Sequence, residues 1–143
     1  MKKKILIIFT LIFLNLNYEL LYAKNSYFED GKKLFDNKKY IDSKFYFEKD
    51  IVFNPKSENS YLYLAKIFKE EKKDNLEENN LKTVLLLNPR NEEAIYMLTL
   101  LSIKKSNFSK AKELISTLTT VCKKMCFAEI ELKDKLNRSQ KSK

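Results

Sequence analysis

Two Asn-Pro dipeptides, Asn54-Pro55 and Asn88-Pro89, recur at an interval of 34 residues, and each closes a stretch that reads as two helices in series. Proline disfavours helix in the residue before it, so each dipeptide is a stop signal at a fixed phase. A period of this length belongs to stacked helix pairs, because a single pair cannot bury its apolar face alone. With one Gly, two Pro, no Trp and no His, the chain is friendly to helix and poor in the turn chemistry that strands require.

Apolar spacing fills in the helices between the stops. Residues 26–36 place Tyr27, Phe28, Leu34 and Phe35 at helical intervals, and the polar break Asn37-Lys38-Lys39 precedes a second helix carrying Tyr40, Ile41, Phe45, Phe47, Ile51 and Val52. The next cycle runs from Ser57 to Glu71, with Tyr61, Leu62, Leu64, Ala65, Ile67 and Phe68, and then from Leu76 to Leu87. A third pair covers Asn91 to Lys105 and Phe108 to Val121, a seventh helix covers about 124–137, and a polar tail covers 138–143.

These residues resemble the tetratricopeptide repeat (TPR), in the form found in exported bacterial proteins. Tyr27, Gly31, Leu34, Tyr40, Ser43, Phe47 and Pro55 fall on the family's positions in the first repeat, and Tyr61, Leu64, Ala65, Phe68, Leu81 and Pro89 in the second. Ile95, Leu98, Phe108, Ala111, Ile115 and Leu118 match in the third, where Lys123 replaces the closing proline. Small residues at Gly31, Ser43, Ala65 and Ala111 allow helix axes to approach closely. The second repeat departs from the pattern, with Asp74 and Glu77 where an aromatic and a small residue belong. Either Leu76 takes over after a loop shifted by two residues, or that helix packs loosely. The resemblance implies an all-α, right-handed solenoid of three antiparallel helix pairs (about 24–57, 58–91 and 92–123) with a C-terminal capping helix (about 124–137).

The N-terminus reads as an address. Lys2, Lys3 and Lys4 precede the apolar run Ile5 to Leu14, and a polar stretch leads to Leu21-Tyr22-Ala23. This is the layout of a secretory signal peptide over 1–23, cleaved after Ala23. An uncleaved anchor is the competing reading, but a span needs roughly 20 apolar residues, and Asn15, Asn17 and Glu19 interrupt this one. Cleavage would lower the formal net charge of +9 by two and leave one domain in a periplasmic or secreted setting. In such a setting Cys122 and Cys126 read first as a disulfide. A reduced, inert pair and a redox-active pair favoured by Lys123 and Lys124 are the alternatives. On a straight helix the two Cα atoms would stand about 6 Å apart, and a turn between helices would bring them closer.

Catalysis finds few residues to use. Without His, a Gly-rich phosphate loop or a cysteine cluster of metal-ligand spacing, the sequence implies no enzyme, no cofactor and no metal site. The pairs Glu70-Glu71, Glu77-Glu78 and Glu92-Glu93 read as solvated helix faces, and the mixing of acids with lysines is unlike a one-sided nucleic-acid footprint. What remains is a groove. By resemblance to the family it is lined by the first helix of each pair, at Phe28, Lys32, Phe35, Leu62, Lys66, Lys69, Tyr96, Leu100, Ile103 and Lys104. Aromatic and aliphatic residues interleaved with lysines suit a protein or peptide segment bearing apolar and acidic side chains, with no small-molecule substrate. The same residues could instead pack on the seventh helix or on another copy of the chain. Some members of the family clamp a partner's terminal carboxylate with Lys, Asn and Arg, but Phe28, Lys32, Tyr63, Glu93 and Met97 stand at those places. The sequence thus points to a non-catalytic scaffold or adaptor in the cell envelope, with a thiol-disulfide protein and a self-assembling structural subunit as the other classes.

Overall fold

A computed structural model describes residues 27–141 of the chain, so the expected signal segment lies outside the described residues. Helix α1 occupies 27–36. It is followed by α2 (Tyr40–Phe53), α3 (Glu58–Glu70), α4 (Asp74–Leu87), α5 (Glu92–Lys104), α6 (Phe108–Val121) and α7 (Ala128–Lys141). No strand occurs among the described residues. The chain divides into two compact units, the first ending at Ser57 and the second beginning at Glu58.

The period seen in the sequence is kept residue for residue in the backbone. Helices α2, α4 and α6 hold 14 residues each and start at positions 40, 74 and 108. Helices α3 and α5 hold 13 residues each and start at 58 and 92. At the turn inside each pair, Lys38, Lys72 and Ser106 take φ values of 60°, 56° and 59°. The following N–H reaches five residues back, from Lys39 to the Leu34 carbonyl, from Lys73 to Phe68 and from Asn107 to Ser102. The N–H of the left-handed residue itself reaches Phe35, Lys69 or Ile103. This is the Schellman arrangement, which satisfies the orphan carbonyls of a helix end. A left-handed backbone costs a residue other than glycine about 1 kcal/mol, so three non-glycine residues carry that cost to keep the turn.

Within the first unit, α1 and α2 meet at Gly31. A Cβ there would stand 2.9 Å from the Phe47 ring, and the Ser43 hydroxyl donates to the Gly31 carbonyl at 2.8 Å. Phe47 is wholly buried, with the Phe28 ring 5.8 Å away. In the second unit Leu62, Ala65, Leu81, Val84, Ile95, Leu98, Ile115, Leu118, Leu132 and Leu136 belong to one core cluster. Each fully buried Leu or Ile side chain contributes about 1.5–3 kcal/mol.

Two sequence expectations need correction. The loop before α4 is not shifted, and Leu76 does not take over: it is exposed, while Glu77 stands at the crossing position and is only 4% exposed. The seventh helix starts at Ala128 and continues to Lys141 instead of covering 124–137. Its last turns are supported by Arg138, whose guanidinium pairs with Asp134 four residues back.

Burial pushes the Glu77 carboxyl above its ordinary value, and Asp74 adds to this, while Lys69 and Lys104 oppose it. A raised folded value means that the native state holds its proton longer, so Glu77 lowers stability as pH rises from 4.5 through that folded value. We expect Glu77→Ala, which copies Ala111 of the next pair, to raise stability at neutral pH by about 1 kcal/mol. The variant should also lose part of the pH dependence of thermal unfolding. Destabilisation at every pH would show that the lysine contacts outweigh the burial cost.

Candidate partner-binding face

The first helices of the second unit carry a polar and aromatic ladder. On α3, Tyr63 and Lys66 are one turn apart, and the Lys66 ammonium lies 4.6 Å from the Tyr63 ring centroid. The same ammonium pairs with Glu93 of α5 at 2.8 Å. One turn along α5, the Tyr96 hydroxyl donates to Glu131 Oε1 of α7 at 3.0 Å, and Lys135 pairs with Glu131 at 2.8 Å. Desolvation, followed by the bond to Glu131, pushes the Tyr96 hydroxyl above its usual value. Lys135, then Tyr96, holds Glu131 below the usual carboxylate range. Residues at i, i+3 and i+7 share a helix face, so Glu93, Tyr96 and Leu100 extend the ladder along α5.

Several groove residues expected from the sequence go elsewhere. Leu62 and Ile103 face the core at 5% and 7% exposure, out of reach of a ligand. Lys104 turns to Asp74 of α4 at 2.6 Å, and Lys69 is exposed. Lys66, Tyr96 and Leu100 are half-buried. In the first unit Lys32 is exposed, Phe28 packs on Phe47, and the Phe35 ring lies 5.3 Å from that of Tyr40. Sequence reasoning missed Glu131 and Lys135 as members of the face, and it placed Tyr63 and Glu93 there only as the residues standing where a carboxylate clamp would be. No local pattern ties Glu131 to Tyr96 across a 35-residue separation.

A second constellation holds the chain between α6 and α7. The Glu92 carboxylate accepts the backbone N–H groups of Lys123 at 2.8 Å, Lys124 at 3.0 Å and Met125 at 2.6 Å. Thirty-four positions earlier, Glu58 accepts the side-chain amides of Asn88 at 3.0 Å and of Asn91. The two glutamates therefore do the same work in consecutive repeats, each tying the start of a pair to its closing segment. Where Pro89 has no N–H to give, Lys123 has one, and Glu92 uses it. Glu92 was expected on a solvated face, and the structure corrects this. Its carboxyl lies below its ordinary value, first because of the Met125 N–H and then because of those of Lys123 and Lys124, against some desolvation.

The same loop carries the two cysteines. Cys122 occupies the place of Asn88, and its Cα lies 5.2 Å from that of Cys126, inside the range a disulfide spans. The turn between α6 and α7 thus closes the gap that a straight helix would leave. No group of three or more His, Cys, Asp or Glu side chains among the described residues could hold a metal ion.

Helix pairs in strict register, with capped turns and a polar face along their first helices, define an α-helical repeat of stacked pairs. Solved structures give that fold its name, the tetratricopeptide repeat. The first TPR domain of Spaghetti (RPAP3), bound to the HSP90 peptide SRMEEVD, superposes with a TM-score of 0.72 at 17% identity, covering 81% of this chain and 94% of that one. The Yersinia enterocolitica type III secretion chaperone SycD, in complex with a peptide of the translocator YopD, gives 0.71 at 12% identity, covering 82% and 92%. The C-terminal TPR-containing domain of a Plasmodium falciparum FK506-binding protein gives 0.70 at 13% identity, covering 87% and 91%. No protein-family model matches the sequence, and no curated protein matches it.

For a depressed carboxylate, stability is present above the unfolded value and lost as pH falls through the folded one. The amide resonances of Lys123, Lys124 and Met125 should therefore titrate together with a midpoint below 4.5, the ordinary value for Glu92. In Glu92→Gln that shared transition should vanish, and these amides should exchange faster with solvent. A midpoint at or above the ordinary value would remove the clamp from the account.

Proposed function

We propose that the chain is a non-catalytic protein-interaction scaffold of the cell envelope, holding a segment of a partner protein against its first helices. The observation that carries this reading is the ladder on α3, α5 and α7, where two tyrosine rings, Leu100 and the lysines 66 and 135 share one face with their acids already paired. A partner segment with an acidic side chain can compete for those lysines, and its apolar side chains can lie on the rings. The peptide complexes of RPAP3 and SycD support the same use of the fold. We assign Lys66, Tyr96 and Leu100 as contact residues in the second unit, and Phe28, Lys32 and Phe35 in the first. Preformed helices reduce the ordering cost of capture.

The test is in-cell photo-crosslinking from Tyr96 and, separately, from Phe35. A discrete partner should be trapped and lost in Tyr96→Glu, with helix content unchanged. Labelling that survives Tyr96→Glu, or none from either site, would remove these residues from the function.

We propose also that residues 1–23 direct export, and that Cys122 and Cys126 form a structural disulfide in the oxidising compartment. No described helix is long and apolar enough to cross a membrane. The intact mass of the protein purified from its cell should correspond to a chain starting at Lys24 and lighter than the reduced form by two hydrogen atoms. Retention of the first 23 residues would refute export with cleavage, and a reduced mass would refute the disulfide.

A further inference from the structure

The repeat supplies its own control for what its outer faces should look like. On α2, Ile41, Phe45 and Val52 share one face and are 79%, 59% and 73% exposed. The corresponding positions are Asn75, Asn79 and Leu86 on α4, and Ser109, Glu113 and Thr120 on α6. Of these three helices only α2 carries an apolar stripe along the whole face, edged by the exposed acids Asp42 and Glu48.

The second unit has an open cleft of about 550 Å³ between α6 and α7, lined by Lys112, Ile115, Ser116, Thr120, Lys133 and Leu136 among others. Its counterpart one repeat earlier shows what such a cleft receives. Glu78, Lys82 and Ser102, 34 positions before Lys112, Ser116 and Leu136, line a cavity of only about 100 Å³ that Asn107 and Lys110, at the start of α6, help to close. The α4/α5 cleft is thus covered by a helix, and no described helix covers the α6/α7 cleft. Its floor is apolar at Ile115 and Leu136, its wall carries the hydroxyls of Ser116 and Thr120, and its rim carries Lys112 and Lys133.

We propose that the α6/α7 cleft takes the outer face of α2 from a second copy of the chain. Ile41, Phe45 and Val52 would lie on Ile115 and Leu136, and Asp42 and Glu48 would face the lysine rim. Lys133 is engaged by Glu129, whose carboxylate also lines the cleft, and Lys112 has no ion-pair partner among the described residues, so it is the cation left to meet an acid of α2. Neither surface includes a residue assigned to partner capture, so substitutions in the stripe or the cleft leave the ladder of α3, α5 and α7 intact. Because the joined surfaces differ, the contact is heterologous, and copies joined by it form a ring where the rotation closes and an open chain where it does not.

Sedimentation velocity on the purified protein over a dilution series tests it. The wild type should self-associate as concentration rises. Phe45→Glu, which spoils the stripe, and Ser116→Arg, which fills the cleft, should each be monomeric with unchanged helix content and melting temperature, since both side chains are exposed. Mixed together, the two variants should form a one-to-one dimer, because one retains an intact cleft and the other an intact stripe. A wild type that stays monomeric would overturn the proposal and leave the cleft to a different helix. Assembly that survives either substitution, or a mixture that stays monomeric, would overturn it as well.

Discussion

Everything in this chain depends on helix axes coming close enough to interlock at one point in each pair. In the first pair Gly31 and Ser43 provide that point, with the Phe47 ring so near that a methyl group at Gly31 would collide. The matching positions are Ala65 and Glu77 in the second pair and Thr99 and Ala111 in the third, and all four are buried. Thr99 can occupy such a place because its hydroxyl bonds back to the Ile95 carbonyl at 2.7 Å, which removes the need for an outside partner. Glu77 has no such device. Its carboxyl answers burial by holding its proton more tightly, which is the response expected of an acid in low dielectric.

Between crossing points, the chain keeps its phase with backbone devices more than with particular side chains. Lys38, Lys72 and Ser106 adopt the same left-handed turn although none is glycine, because the returning helix and two hydrogen bonds compensate for the conformational cost. The closing segments show the same economy. Asn88 and Asn91 meet Glu58 through side-chain amides, whereas the proline-free segment after α6 meets Glu92 through backbone N–H groups. Different sequences thus reach one geometry, because a carboxylate at the first turn of α3 or α5 accepts either kind of donor. The cysteine pair sits in that proline-free segment, where the stiffness of Pro89 is missing.

The surfaces divide along the same lines. Exposed ion pairs such as Lys104 with Asp74 and Lys105 with Glu78 join α5 to α4, and pairs of this exposed kind add about 0–1 kcal/mol each. They do more for register than for stability. The ladder of Tyr63, Lys66, Glu93, Tyr96 and Glu131 instead places aromatic area and a paired cation on the first helices. The apolar stripe of α2 is unlike the same face of α4 and α6, so the helical period does not account for it.

Periodicity alone determined the helix-pair architecture. Two prolines, the spacing of Leu, Ile and aromatic residues, and small residues at 31, 65 and 111 placed every pair, and α6 was legible to the residue. These signals are local, and local hydrogen bonding with amphipathic spacing suffices to specify helices. Tertiary structure alone decided which polar residues are buried or bonded. Glu77 and Glu92 look like any surface glutamate in sequence, yet one is enclosed at a crossing point and the other is held by three N–H groups from a loop more than thirty residues away. Leu62 and Ile103 likewise turned inward while Tyr96 found Glu131 on α7. A carboxylate or a leucine carries no mark of its distant neighbours, and those neighbours are set only when one helix pair packs on the next.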